Sequence, residues 1–227
     1  MKDFKDIGSL VLGSATGKQT PNLRRDIPLH LETPLSQTFR DLFAELQENV
    51  QPPIVINGLV FGGAASHIYA NRRLTTSIDV MFEKRVGVST RMVLDRDVGH
   101  GYPEPIYIWH GMNRDIFLQH ENVLQDSFPL PLGSGNFVLQ IMHPVDIALS
   151  RINRMNRTDI SDIRDFLELE LFTEEDLLKR LEETLAFMGA RNPKTGWHYN
   201  KLAEVIHVPE ESLDKTLSSK NTSVQRP

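Results

Sequence analysis

Near the N-terminus, apolar residues follow the period of an α-helix. They recur at i, i+4, i+7, i+8 and i+11, positions that share one helix face: Leu35, Phe39, Leu42, Phe43 and Leu46. Thr33 is a suitable N-cap, and Pro34 suits the first helical position. Pro52 and Pro53 cannot continue a helix, so the pattern predicts one helix that ends before them.

Shorter apolar runs, several of them rich in β-branched residues, predict buried strands. The predicted strands are Ile54–Phe61, Ile78–Phe82, Ile106–Trp109, Ile116–Leu118 with flanking residues, and Phe137–Ile141. Gly62 and Gly63 interrupt the pattern after the first strand, and Ala64–Ala70 is predicted to form a short helix.

Beyond Pro144 the pattern becomes helical. The predicted helices are Val145–Met155, Asp159–Glu170, one that begins after Thr173, and a short one at Tyr199–Ile206. Thr173 is a suitable N-cap because its side-chain oxygen can accept a backbone N–H of the first turn. Acidic residues follow it in that turn, where carboxylates stabilise the helix dipole. Gly189 fits the position just after the end of that helix.

The order of these elements, strands first and helices later, predicts an α/β core followed by a helical C-terminal part. We expect an N-terminal arm over residues 1–30, an α/β domain over 31–143 and a helical part over 144–207. Residues 208–227 are mostly polar, so we expect them to be disordered.

Composition narrows the function classes. The chain of 227 residues has no cysteine, which excludes disulfides, thiolate metal sites and cysteine nucleophiles. Its net charge of −5 gives no general attraction to nucleic acid, although a local basic patch could still bind phosphates. No window reaches the ~18 apolar residues that span a bilayer, and the start of the chain lacks a signal-peptide core. We therefore expect a cytoplasmic protein without a membrane partner.

The Gly62-Gly63 pair lies where a predicted strand ends and a helix begins. Glycines at such a turn let backbone N–H groups approach a phosphate, and the N-terminus of the helix adds positive potential. A simple turn before a helix explains most Gly-Gly pairs equally well, so this feature alone does not identify a phosphate site.

Two residues of the next strand are candidates for metal binding. Ser77 and Asp79 are separated by one residue, so their side chains point to the same face of the strand. Two carboxylates at this spacing would hold a divalent cation together with nucleotide phosphates, but Ser77 offers only a neutral oxygen. Asp115, before the apolar run 116–118, could complete a metal site beside Asp79. The alternatives are an exposed strand end for Asp79 and a turn for Asp115.

Three arginines follow Pro144 at i, i+3 and i+6: Arg151, Arg154 and Arg157. If the helix continues through them, they share much of one face and could neutralise phosphates. The alternative is a solvated basic face that pairs with Asp159 and Asp162.

Taken in order, these motifs resemble the minimal nucleotidyltransferases of the polymerase-β-like superfamily. The branch around the AbiEii-type toxins and their uncharacterised bacterial relatives is the most similar. That branch typically shows Gly-Gly-x-Ala after a strand, followed by Arg-x-Thr-x-Asp-Ile-Asp. The segment FGGAASHIYANRRLTTSID matches this pattern except at Ser77. The later segments PVDIALSR and RTDISDI resemble the next element of the branch, with Arg151 where a Lys is usual. The resemblance covers roughly residues 54–170.

This resemblance implies a mixed β-sheet of nucleotidyltransferase type with flanking helices. It also implies a Mg²⁺ site, with Asp79 and Asp115 as catalytic metal ligands. The residues that it assigns to nucleotide binding are Gly62, Gly63, Arg73, Ser77 and Arg151. The implied partners are a nucleoside triphosphate, an RNA or protein acceptor, and an antitoxin. An active enzyme could recruit another acid, such as Glu83 or Asp126, in place of the carboxylate missing at Ser77.

Three hypotheses follow for the function. The first is an active Mg²⁺-dependent nucleotidyltransferase that modifies RNA or protein as a toxin. The second is a catalytically degenerate nucleotidyltransferase fold that binds a nucleotide or a macromolecular partner. The third is a structural or interaction protein that shares only the fold. Ser77 separates the first two hypotheses, because a neutral residue there removes a full negative charge from the metal site.

Overall fold

The computed structural model describes residues 23–48, 54–83, 91–97, 99–110, 122–152 and 154–188, together with residues 200, 202, 205 and 206. Its helices are α1 Pro34–Gln47, α2 Gly62–Ala70, α3 Val123–Asp126, α4 Pro144–Arg151, α5 Arg157–Glu168 and α6 Glu174–Met188. Its strands are β1 Ile56–Phe61, β2 Ser77–Phe82, β3 Arg91–Arg96, β4 Glu104–His110, β5 Phe128–Leu130 and β6 Phe137–Ile141.

The strands form one mixed sheet of six, in the order β3-β4-β2-β1-β6-β5. Strand β1 pairs antiparallel with β2 and parallel with β6, and β2 pairs parallel with β4. The outer strands β3 and β5 pair antiparallel with their neighbours. The predicted α/β fold, a mixed sheet with flanking helices, is confirmed.

Helices α1 and α2 cover one face of the sheet. The Phe43 ring of α1 contacts the rings of Phe82 and Phe137, with centroid distances of 6.3 and 5.3 Å. Tyr69 of α2 contacts Phe128, which pairs with β6 on that same face. Because side chains alternate along a strand, Ser77 and Asp79 point to the opposite face from Phe82.

The hydrophobic core is continuous through the sheet and the later helices. Buried residues of one cluster run from Leu23 and Ile27 to Leu202 and Val205. A buried ion-pair group adds to this packing: Arg180 of α6 donates to Asp146 of α4 at 2.8 and 2.7 Å and lies 2.9 Å from Asp126. Within the described residues, no helix combines the length and the apolar character needed to cross a membrane.

Several predicted element ends are confirmed by cap geometry. Thr33 caps α1, because its Oγ1 accepts from Ser36 N at 3.2 Å, and Pro34 opens the helix. Thr173 accepts from Asp176 N at 3.1 Å and so caps α6. Strands β3 and β5 were not predicted. Several predicted features lie outside the described residues: the strand around 116–118, Gly189, the tail over 208–227, most of residues 1–30 and half of residues 199–206.

The predicted helix Val145–Met155 is too long. Helix α4 ends at Arg151, and Met155 adopts a positive φ of 43°, which no continuing helix can contain. Asn156 then starts α5 with a capping box, in which it exchanges hydrogen bonds with Asp159. The three arginines therefore do not form one helical stripe, and that interpretation is wrong.

Candidate functional site

The turn between β1 and α2 is built around the absence of a side chain on Gly62. Gly62 has a φ of +67°, and a Cβ placed on it would lie 2.2 Å from Asp79 Oδ2. The Asp79 carboxylate therefore fills the space that a side chain would need. The adjacent Gly63 is also crowded, since its Cβ would lie 2.8 Å from Thr75 Oγ1 and 3.4 Å from Arg73 Nη2.

Helix α2 begins at this turn, and its own N-cap residue provides no side-chain cap. Its N-cap residue is Phe61, which makes no side-chain hydrogen bond to the first turn. The first N–H groups of a helix have no partner within that helix, and they carry the positive end of its dipole. The start of α2 is therefore a region of positive potential next to the Asp79 carboxylate.

Asp79 and Ser77 reach the site from β2. Asp79 pairs with Phe61 at the end of β1, and both Asp79 and Ser77 are half-buried. Thr75 orders the entry into the strand, because its Oγ1 accepts from Ser77 N at 3.2 Å. On the other side of β2, the register places Tyr107 beside Ser77 and Trp109 beside Asp79. Neither neighbour is acidic, so Asp79 is the single carboxylate among these paired positions.

Arg73 brings a positive charge to the same turn. It donates from Nε and Nη2 to the two carboxylate oxygens of Asp162, at 2.7 and 2.9 Å. Asp162 is almost fully buried in α5, whereas about a third of the Arg73 side chain is exposed. This forked pairing fixes the orientation of the guanidinium beside Gly63.

Arg151 lies inside the protein, beneath the turn. Its Nη2 donates to the Gly62 carbonyl at 3.2 Å and to Ser66 Oγ at 2.6 Å, while its Nη1 lies 2.6 Å from Asp162 Oδ2. Burial lowers the pKa of Arg151, and the charges of Asp162 and Asp159 oppose that effect. With 4% of its side chain exposed, Arg151 supports the turn from below and does not present its charge to solvent.

Asp159 completes this cluster. It accepts from Arg151 Nη1 at 3.1 Å and from Arg154 at 2.7 and 2.6 Å. Although burial raises the pKa of the Asp159 carboxyl, the hydrogen bonds from Arg154 and the charge of Arg151 bring that pKa below its ordinary value. The pairing of arginines with Asp159 and Asp162 was the alternative interpretation of the sequence. Arg151, however, is buried and not part of a solvated face.

His67 ties α2 to the segment that carries Arg73. Its Nδ1 donates to the Arg73 carbonyl at 2.7 Å, and its Nε2 lies 3.1 Å from Thr33 Oγ1. Burial lowers the pKa of the His67 ring, an effect that the hydrogen bond to the Arg73 carbonyl opposes. The neutral ring therefore fits this position better than the charged one. No local sequence pattern predicts the contributions of His67, Ser66 and Thr75, because they depend on tertiary contacts.

The number of acidic side chains at the site limits how many metal ions it can hold. Among the described residues, no group of three or more His, Asp or Glu side chains could hold a metal ion. Asp115 lies outside the described residues. Asp126 is buried against Arg180, and Glu83 follows the far end of β2, so neither takes the place of the acid missing at Ser77. One carboxylate can join a Mg²⁺ that triphosphate oxygens already bind, but it does not make a two-metal centre.

Comparisons with known proteins show distant structural similarity only. No protein-family model matches the chain, and no curated protein matches it. One matching solved structure is the crystal structure of an antigenic nucleotidyltransferase-like protein from Paracoccidioides brasiliensis, with 16% sequence identity and a TM-score of 0.40. The match covers 74% of this chain and 93% of that chain.

Proposed function

We propose that this protein is a nucleotidyltransferase-type domain that binds the triphosphate of a nucleotide at the Gly62-Gly63 turn and does not transfer the nucleotide. The packing of the Asp79 carboxylate against Gly62 carries this proposal. It brings together the predicted phosphate turn, where β1 ends and α2 begins, and the predicted metal ligand on β2, although 16 residues lie between positions 62 and 79.

The chemistry of the turn suits a phosphate that arrives with a cation. Backbone N–H groups at the start of α2 can donate to phosphate oxygens, and the Arg73 guanidinium, held in place by Asp162, lies beside Gly63. Asp79 alone would repel the phosphates. Mg²⁺ bound to the triphosphate would neutralise that repulsion, with Asp79 as its one carboxylate ligand and Ser77 as a neutral oxygen nearby.

The same residues argue against transfer. Nucleotidyl transfer of this type depends on carboxylates that position two metal ions around the reacting phosphate. Ser77 supplies no charge, and the residues beside it and Asp79 in β4 are Tyr107 and Trp109. Arg151, at the place where the resembling branch has a Lys, is directed to Asp159, Asp162 and the Gly62 carbonyl.

The alternative is Mg²⁺-dependent transfer of a nucleotide to RNA or protein, as in the AbiEii-type toxins. The residue order favours it, since Asp79 keeps the place of one metal ligand and Asp115 follows β4 along the chain. This alternative requires Asp115 to supply the second carboxylate. It would also require an antitoxin partner, if the protein acts as a toxin.

Calorimetric titration with each nucleoside triphosphate, with and without Mg²⁺, tests the proposal. We expect Mg²⁺-dependent binding that is lost in Asp79→Ala and kept in Glu182→Ala, which removes one exposed negative charge on α6. Pyrophosphate release, followed in parallel with RNA and protein acceptors, should stay at background. Absence of Mg²⁺-dependent binding by the wild type would refute the binding site. Turnover that depends on Asp79 and Asp115 would establish the transferase alternative.

A further inference from the structure

The loop between β3 and β4 carries two exposed rings. His100 and Tyr102 lie with their ring centroids 5.8 Å apart and their planes inclined by 34°. The Tyr102 residue is 57% exposed. Asp97 holds the loop in shape, because its Oδ1 accepts from Gly99 N at 2.7 Å and from Gly101 N at 3.0 Å. Both rings are therefore exposed in a loop that Asp97 braces at Gly99 and Gly101.

This loop lies at the same end of the sheet as the Gly62-Gly63 turn. Strand β1 ends where β2 begins, since the two strands are antiparallel and Phe61 pairs with Asp79. Strand β4 is parallel to β2, with Tyr107 beside Ser77 and Tyr107 N donating to Thr76 O at 2.7 Å. The loop that precedes β4 therefore emerges at the Ser77 end of β2.

One short segment, residues 73–75, connects the two features. On one side, Arg73 and Thr75 crowd the position of a Cβ on Gly63. On the other side, the intervening Leu74 packs against the loop, since a Cβ on Gly99 would lie 3.3 Å from Leu74 Cδ2. The Gly62-Gly63 turn and the loop that carries His100 and Tyr102 therefore both contact this segment.

We propose that His100 and Tyr102 form a stacking platform for the base of the nucleotide whose phosphates bind at the Gly62-Gly63 turn. The inference rests on the proposed function and adds the subsite that binds the other end of the ligand. Aromatic side chains offer a flat apolar face that stacks on a nucleobase. Every base has such a face, so the platform contributes affinity without selecting one base.

Binding of Mg²⁺·ATP and of Mg²⁺·tripolyphosphate, which has no base, separates the platform from the phosphate turn. We expect Tyr102→Ala to weaken ATP binding by at least about fivefold and to leave tripolyphosphate binding unchanged. Tyr102→Phe keeps the ring and should bind ATP as the wild type does. Phe187→Ala is the matched control, because Phe187 is 54% exposed on α6 and should not affect either ligand.

Each result has one meaning. A loss of ATP affinity below about fivefold in Tyr102→Ala overturns the platform and leaves the phosphate site intact. An equal loss for tripolyphosphate also overturns it, because the effect would then not involve the base. If the wild type binds neither ligand, the proposed function fails and the platform fails with it. Stronger fluorescence quenching of Tyr102→Trp by ATP than by tripolyphosphate would support stacking directly.

Discussion

The Asp79 carboxylate lies where a side chain on Gly62 would have to be, with Oδ2 2.2 Å from the position of a Cβ. The turn that begins α2 and the acid on β2 therefore depend on each other. A larger residue at Gly62 would displace the acid, and the positive φ of the turn disfavours any side chain there. This relationship places the predicted phosphate turn and the predicted metal ligand in one site.

Gly62→Ala should destabilise the fold and impair the site. The substitution meets both the steric conflict with Asp79 and the strain of a positive φ, so we expect a loss of about 1–3 kcal/mol in the free energy of unfolding. Urea denaturation measures it. The double variant Gly62→Ala/Asp79→Ala should regain part of the loss, because the conflict is relieved and the strain remains. A Gly62→Ala protein as stable as the wild type would contradict the described packing.

Arg151→Ala should be far more damaging than Arg154→Ala, although both arginines bond to Asp159. Arg151 is buried and also holds Asp162, Ser66 and the Gly62 carbonyl, so its loss should cost about 3 kcal/mol of stability. More than half of the Arg154 side chain is exposed, and its removal should cost less than about 1 kcal/mol. Equal losses in urea denaturation would show that the burial of Arg151 has no energetic consequence.

Stability should fall as the pH drops below about 6.5, the ordinary pKa of histidine. Burial lowers the pKa of the His143 ring. The charge of Asp146 and the hydrogen bond to the Arg24 carbonyl oppose this effect without cancelling it. The folded protein therefore takes up this proton at a lower pH than the unfolded chain does. The stabilisation is complete above the unfolded pKa and is lost as the pH falls toward the folded pKa. The pKa of His67 is also lowered by burial, so its contribution to stability changes with pH in the same direction.

His143→Asn isolates one of these contributions. Nδ1 of His143 accepts from Val145 N at the start of α4, and Asn keeps an N-cap acceptor without a titrating ring. We expect the variant to lose less stability than the wild type between pH 7 and pH 5, as measured by urea denaturation at each pH. Parallel pH profiles for the two proteins would exclude His143 as a source of the acid sensitivity.

Ser77→Asp should raise the affinity for Mg²⁺. The new carboxylate would lie on the same strand face as Asp79, and a second negative charge near a divalent cation should strengthen binding by at least about tenfold. Ser77→Asn is the matched control, because it has similar size and no charge. Titration of both variants with Mg²⁺ measures the effect. Unchanged affinity in Ser77→Asp would count against the assignment of the metal site to this face.

Most elements could be predicted because their signals lie within the element itself. Examples are the helical period of the apolar residues in α1, the N-caps Thr33 and Thr173, and the apolar run at residues 137–141. Strand β5 was not predicted because three residues are too few to show the alternation of a strand. The break between α4 and α5 was missed because the positive φ of Met155 depends on the neighbouring cap.

The sequence was enough to choose most residues of the candidate site, but not to predict what each of them does there. Gly62, Gly63, Arg73, Ser77 and Asp79 could be chosen from motif order, and the structure brings them to one end of the sheet. The burial of Arg151 could not be predicted, because it depends on how α2 and α5 pack around α4. Asp115 stays a prediction, since it lies outside the described residues.

Hydrogen exchange of the backbone amides, with and without Mg²⁺·ATP, tests the binding site most directly. The first N–H groups of α2 have no acceptor within the helix, so a bound phosphate should slow their exchange. We predict protection of peptides that cover residues 61–66 and 73–79, with no change in α6. Saturating nucleotide that leaves both peptides unprotected, or protects only other segments, would contradict nucleotide binding at the Gly62-Gly63 turn.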